Sequence, residues 1–417
     1  MTSNLGGGGQ TVSRLPPYLP LIGDLSKKNI GILLNYSYLT FYKKEGSRKT
    51  ESAVFNKKEL EQLNNETITF KDFFKKFKVP NIEKFINTDN INSSEDFEIL
   101  LDSGSGKILA DSVLHYDYDF NDARNLIFNL VDHQIDFAEE KGAKYIIAMD
   151  YCKKNTYKNE EGRSLKLSNI IDALLSDKGI QNELLLKTLN VAQQKKSNLK
   201  IFAPIHGQDH DDFLQHYHSI TQLEKQSEYK FSGFALGGLS SKGSGEIGKI
   251  VKEIRQAGEA RDIHILGSSG IIKLPVLISA GANFFDCHTP WRRANDGDFR
   301  FCMPLLNSKL EIITDSKDSF INKPSTMINE GNYDCDCPIC ANYGFAEIKK
   351  LLDNRSNDIE GFNFAKILIY FHGVYQYSYL MEKMESLQKN NNIDSFIESI
   401  ENVKIRSKLK KGMELIQ

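Results

Sequence analysis

LKIFAPIHGQDHDDFLQHYHSITQLEKQSEYKFSGFALGGLS, residues 199 to 240, is the stretch whose reading decides the fold. It opens on an apolar run, LKIFAPIHG (199 to 207), crosses a helix-like stretch from Asp211 to Lys225, and closes on a second apolar run, FSGFALGGLS (231 to 240). Both runs are continuous rather than alternating, as strands buried on both faces read. Strand, helix and strand in that order predict a parallel pair joined by a crossover.

The same unit recurs outward in both directions. NIGILLNYS (29 to 37), FEILLDSGSG (97 to 106), KYIIAMDYC (144 to 152), DIHILGSSG (262 to 270) and ANFFDCHTP (282 to 290) are further apolar runs closed by small or polar residues. Helix-like stretches lie between them at Asn121 to Glu140, Leu167 to Gln194 and Gly245 to Gly258. An open doubly wound sheet and a closed eight-stranded barrel both satisfy this alternation, but no G-x-G-x-x-G opens a helix after the first strand. The expected fold is therefore α/β, a (β/α)8 TIM-like barrel, with chemistry at the C-terminal strand ends. Those ends carry Asp102, Asp150, His206, Gly237 with Gly238, Gly267 and Asp286. Glycines there let the backbone approach a flat polar ligand.

With 53 Lys+Arg against 55 Asp+Glu, 40% hydrophobic and 26% charged residues, the 417-residue chain can fill a core and solvate a surface. That excludes collagen, coiled coil and a disordered chain. A formal charge of -2 gives no global pull toward nucleic acid, so such a partner needs a local basic patch. The start, MTSNLGGGGQTVSR, lacks the apolar centre of a signal peptide, and no apolar run approaches the roughly 18 residues that cross a bilayer. A soluble, cytoplasmic protein with no membrane contact is expected.

Cys335, Cys337 and Cys340 form C-x-C-x-x-C, and three thiolates so close in sequence can converge on one cation. Zinc, tetrahedral with sulfur and nitrogen ligands, is the natural occupant. After them runs a stripe of 3.6-residue periodicity, Phe364, Ile367, Leu368, Phe371, His372, Tyr375 and Tyr379. A histidine on an apolar face is more often a hydrogen-bonded core residue, but three thiolates lacking a fourth partner make His372 the expected ligand. A closed Cys3His set leaves no open position, so the zinc should be structural. The expected organisation is a flexible leader over 1–14, a catalytic barrel over 15–322, a zinc-binding segment with its helix packed on the barrel over 323–386, and a helical basic tail over 387–417.

Asp102 in LLDSGSG and Asp286 in FFDCHTP both close apolar strands. Each alone reads more readily as a loop-capping aspartate; a pair across a pocket suits metal binding, or nucleophile and acid/base work at a glycosidic carbon. The order of motifs resembles that of the tRNA-guanine transglycosylases, zinc-containing barrel enzymes that exchange a guanine for a 7-deazaguanine, from about Pro17 to Lys383. LDSGSGK, with Asp102, Ser103 and Gly104, is similar to the family's D-S-G-G-F-Q; Asp150-Tyr151-Cys152 to its D-E-C; Ile205-His206-Gly207-Gln208 to its V-Q-G-G. Gly237-Gly238-Leu239 through Glu246 resembles G-G-L-A-x-G-E, Leu266-Gly267-Ser268-Ser269 resembles M-G-x-G, and Phe285 to Arg292 resembles F-D-C-x-x-P-T-R. The C-x-C-x-x-C with a distant histidine completes the series.

The resemblance implies that Asp286 is the covalent nucleophile and Asp102 the proton-transfer carboxylate. It implies that Ser103, Asp150, Cys152, His206, Gly207, Gly237, Gly238 and Leu239 bind the base, and that Cys335, Cys337, Cys340 and His372 hold the zinc. Two features depart from the family: Ser105-Gly106-Lys107 replaces G-F-Q, losing an aromatic, and His206 stands where the family has a Gln. They mark a diverged branch, among whose relatives are enzymes inserting 7-deazaguanines into DNA. DNA is the first choice of polymer and tRNA the alternative, with Arg292, Arg293, Lys404, Arg406 and Lys408 on the backbone. A homodimer, or partner proteins of a DNA-modification system, fits the same reading. A non-catalytic partner subunit and a base-releasing hydrolase are the other classes; retention of both aspartates speaks against the first.

Overall fold

The computed structural model describes residues 98–116, 118–140, 142–151, 161–239, 241–268, 270, 272–287, 337–343, 345–354, 356–400 and 403–417, with short strands at 2–4, 31–35, 42–44 and 51–53. Six parallel strands form its curled sheet: β5 (Ile99–Asp102), β6 (Tyr145–Ile147), β7 (Lys200–Ile205), β8 (Gly233–Leu236), β9 (Asp262–Ile265) and β10 (Phe284–Cys287). Along the β5 edge lies β2 (Gly31–Asn35), and β1 (Thr2–Asn4) pairs in parallel with both β2 and β10, which closes the sheet into a barrel. An antiparallel hairpin, β3 (Tyr42–Lys44) and β4 (Glu51–Ala53), stands apart from it.

Thr2–Asn4 departs from the expected structureless leader. Without it two strand edges would face each other with unpaired N–H and C=O groups, and one more extended segment satisfies both. Residues 5–30 lie outside those described, as do the expected boundaries at 14/15 and 322/323.

Helices connect the strands from β5 onward: α1 (Ser105–Tyr116), α2 (Phe120–Glu140), α3 (Glu161–Ser176), α4 (Lys178–Lys195), α5 (His210–Leu223), α6 (Ser244–Gln256) and α7 (Leu274–Ser279). The helix-like stretch from Leu167 to Gln194 is two helices, because Asp177 leaves the helical backbone and its carboxylate accepts the Ile180 N–H at 3.1 Å, capping α4. Burial explains the continuous apolar strands. In β7, Ile201, Ala203 and Ile205 face the large core beneath the helices, while Phe202 faces a smaller barrel interior with Leu33, Leu100, Tyr145, Ile147 and Ala235. At the N-terminal side of β9, Arg261 clamps Glu259 and Glu224. Burial opposes ionisation of Glu259, but the hydrogen bonds and charge of Arg261 win and hold its carboxyl below the usual glutamate range.

Beyond the barrel come α8 (Pro338–Tyr343), α9 (Phe345–Asp353), α10 (Ile359–Lys389), α11 (Ile393–Ser399) and α12 (Val403–Glu414). The tail does not begin at 387: α10 runs on to Lys389, and the chain turns at Asn391, which takes a left-handed φ of 54°. α12 packs on α6 and α7 through Ile405, Leu409 and Met413, leaving its basic residues outward. Gly412 makes that approach, since a Cβ there would lie 2.9 Å from Val276 Cγ2 and 3.0 Å from Ser244 Oγ. Among the described residues no helix is long and apolar enough to cross a membrane.

Candidate active site

Strand parity sets which side chains enter the barrel. Leu100, Phe202, Ala235 and Phe284 belong to or pack on the interior cluster, so the residues two further along, Asp102, Pro204, Gly237 and Asp286, face the same way at the C-terminal mouth. His206, one more step along β7, joins them. A cavity of about 1040 Å3 opens there, lined by Asp102, Ser103, Asp150, His206, Gly207, Gly237 and Gly238. Of the residues expected to bind a base, Ser103, Asp150, His206, Gly207, Gly237 and Gly238 come from the ends of four strands and line this one cavity.

Asp150 is its best-connected group. His206 Nε2 lies 2.5 Å from Oδ2, while Ser103 Oγ donates to Oδ1 at 3.1 Å and Ser105 Oγ donates to the same oxygen. Burial favours the neutral acid, yet the hydrogen bonds and charge of His206 and the two serine hydroxyls outweigh it and hold the Asp150 carboxyl below the usual aspartate range. Behind His206 stands His216 on α5, whose Nδ1 is 3.1 Å from the His206 backbone N–H. Burial, and then the neighbouring His206 charge, push His216 down to about 4, so it is neutral at physiological pH. Gly237 is required beneath this pair: a Cβ there would sit 2.5 Å from His206 Cε1.

Asp286 is 2% exposed at the end of β10. Its Oδ1 accepts the Gly267 N–H at 2.8 Å, a donor that Gly267 can aim because its φ is +62°, and His264 Nε2 stands 3.3 Å from the same oxygen. Leu239 does not turn its side chain toward the cavity. It is buried in the helix-side core, and its carbonyl accepts from Ser268 Oγ at 3.3 Å.

Cys337, buried at the start of α8, Cys340 and the α10 residue His372 bring their ligand atoms within 4.8 Å of one another. The two sulfurs lie 3.3 and 3.4 Å from His372 Nδ1. Sulfur and nitrogen on one tetrahedral zinc would be about 3.5 Å apart from the bond lengths, so the soft donor set and its spacing fit such an ion. Cys152, Arg292, Arg293 and Cys335 lie outside the described residues. On α12, Lys404 and Lys408 are exposed, while Arg406 is half-buried and donates to the Ile400 carbonyl at 2.8 Å. They are on a helix face away from the barrel core, not in the cavity.

Sequence reading missed Ser105, His216 and His264. Ser105 was visible only as a departure from a motif, and the histidines belong to no motif because partners behind a site are chosen by packing.

Residues 61–404 match the family described as TGT, queuine tRNA-ribosyltransferase. The queuine tRNA-ribosyltransferase of Lachnoclostridium phytofermentans is 28% identical over 182 residues, 42% of this chain and 43% of that one. That of Clostridium kluyveri is 25% identical over 331 residues, 75% of this chain and 77% of its own, and that of Thermodesulfovibrio yellowstonii is 28% identical over 167 residues, 40% and 39%. The chain thus spans under half the length of the first and third of these relatives and about three quarters of the second. A family match across most of the sequence, on a curled parallel sheet whose strand exits gather the motif residues, settles the affiliation: the chain belongs to the queuine tRNA-ribosyltransferase family of transglycosylases.

Proposed function

We propose that the protein replaces guanine in nucleic acid, DNA in the first reading, with a 7-deazaguanine base through a covalent aspartyl intermediate. The observation that carries this is the placement of Asp286, a buried carboxylate at a strand exit with its Oδ1 anchored by the Gly267 N–H, beside a cavity lined by a second carboxylate, Asp102. Asp286 attacks C1′ as the bond to guanine breaks, and the departing base keeps the bonding electrons and takes a proton delivered through Asp102. The incoming base returns its proton to Asp102 and displaces Asp286, so two inversions leave the sugar configuration unchanged. Asp150, with His206, Ser103 and the Gly237-Gly238 turn, binds the amide edge of the base, and Cys152 and the Leu239 backbone complete that wall. Cys335 would supply the third thiolate to the Cys337, Cys340 and His372 group, and a zinc held there would serve the structure and not the reaction.

The DNA reading rests on the altered base wall: Ser105 and His206 both bear on Asp150, where the family's pattern has neither. The tRNA reading is favoured by the relatives, all named for tRNA. Asp286→Asn should abolish exchange of labelled guanine into both polymers while the protein folds and still binds them. Exchange at the wild-type rate by that variant removes the assignment, and exchange into tRNA but not into DNA decides for the second reading.

A further inference from the structure

A histidine sits where the reaction so far gives it nothing to do. His264, on β9, is fully buried. Its place in the strand is interior, level with Ala235 and Phe284 in the neighbouring strands, and its ring lies against those of Phe202 and Phe284 at 6.2 and 6.3 Å between centroids. Neither ring nitrogen has a hydrogen-bond partner among the described residues. Burying an imidazole between two phenylalanines with both nitrogens unsatisfied is costly, and a leucine or phenylalanine would fill the layer without that cost. What distinguishes the position is its neighbour: Nε2 is 3.3 Å from Asp286 Oδ1, within the reach of a hydrogen bond.

We infer that His264 is a positioning residue for Asp286, its imidazole donating Nε2–H to Oδ1 from below while the Gly267 N–H donates from the loop. This rests on the reading of Asp286 as nucleophile. Two donors on one oxygen fix the carboxylate plane, and with it the line of attack on C1′. The fixing matters most when the aspartyl–sugar bond forms, because a carboxylate free to rotate loses near-attack geometry without losing substrate affinity. His264 does not line the cavity and acts only through Asp286.

The test measures kcat and KM for labelled guanine in full-length protein, using unfractionated tRNA and single-stranded DNA as acceptors and continuing with whichever accepts it. His264→Phe should lower kcat about 10- to 100-fold and leave KM within about twofold, the signature of lost orientation. His264→Gln, whose amide nitrogen can reach the position of Nε2, should recover most of the loss, and His264→Leu repeats the apolar comparison should the Phe variant not fold. A wild-type kcat in an apolar variant, or a Gln variant as slow as the apolar ones, overturns the inference while Asp286→Asn stays inactive. An active Asp286→Asn variant would instead overturn the nucleophile reading beneath it.

Discussion

Gly237 shows how tightly the proposed base wall is specified at single residues. The His206 ring lies over its Cα, and the same ring is held by Asp150 at 2.5 Å. A methyl group at 237 cannot be absorbed by a swing of His206 without breaking that contact. Gly237→Ala should therefore raise KM for guanine about tenfold, the loss of one charge-assisted hydrogen bond, with an unchanged unfolding midpoint; an unchanged KM would mean that His206 is not part of the base wall. Asp102, Asp150, His206 and Asp286 were legible because each ends an apolar run, and a polar residue at a strand exit has few structural reasons to be there. Ser105 and His216 were not, since what reveals them is contact with Asp150 and His206 across 45 and 10 positions of sequence. The cysteine after Tyr151 and the arginines at 292 and 293 stay expectations, lying outside the described residues.

At the scale of elements, hydrophobic pattern located β5 to β10 and most connecting helices, because strands buried on both faces leave uninterrupted apolar runs. It did not find α1, whose first turn, Ser105-Gly106-Lys107, reads as loop although it follows directly from the left-handed turn at Gly104. Nor did it divide α3 from α4, a break set by one capping side chain. His372 as a candidate ligand was legible as the odd member of an apolar stripe, and its approach to Cys337 and Cys340 joins α8 to α10. That link should be the metal's contribution. Protein purified without chelator should carry one zinc per chain, and Cys337→Ala should lose it and lower the thermal unfolding midpoint, since an ion bound only by the folded state stabilises that state by mass action. Full metal content and an unchanged midpoint in Cys337→Ala would remove the site.

Taken as a whole the molecule carries a formal charge of -2, so any polymer must be held by charge that the fold gathers locally. α12 does this. Its apolar side, Ile405, Leu409 and Met413, is buried on the barrel, and Lys404, Lys408 and Lys411 are consequently exposed on the other side. Gly412 abuts Ser244 and Val276, near the starts of α6 and α7, and helices that follow parallel strands start at the C-terminal, mouth side of a barrel. Lys408 and Lys411 lie within about one turn of that contact, roughly 6 Å along the helix axis, close enough for long side chains to meet a strand entering the mouth. Each phosphate contact on a single strand contributes about -0.7 to the slope of log K against log salt, and about -0.9 on duplex DNA. Lys408→Ala and Lys411→Ala should each flatten the slope by about that amount and leave kcat at saturating polymer unchanged, because neither residue reaches the cavity. Slopes identical to wild type on both DNA and tRNA would show that α12 is a solvated face and that the backbone is held elsewhere. A slope that flattens on one polymer alone would identify which nucleic acid lies along α12.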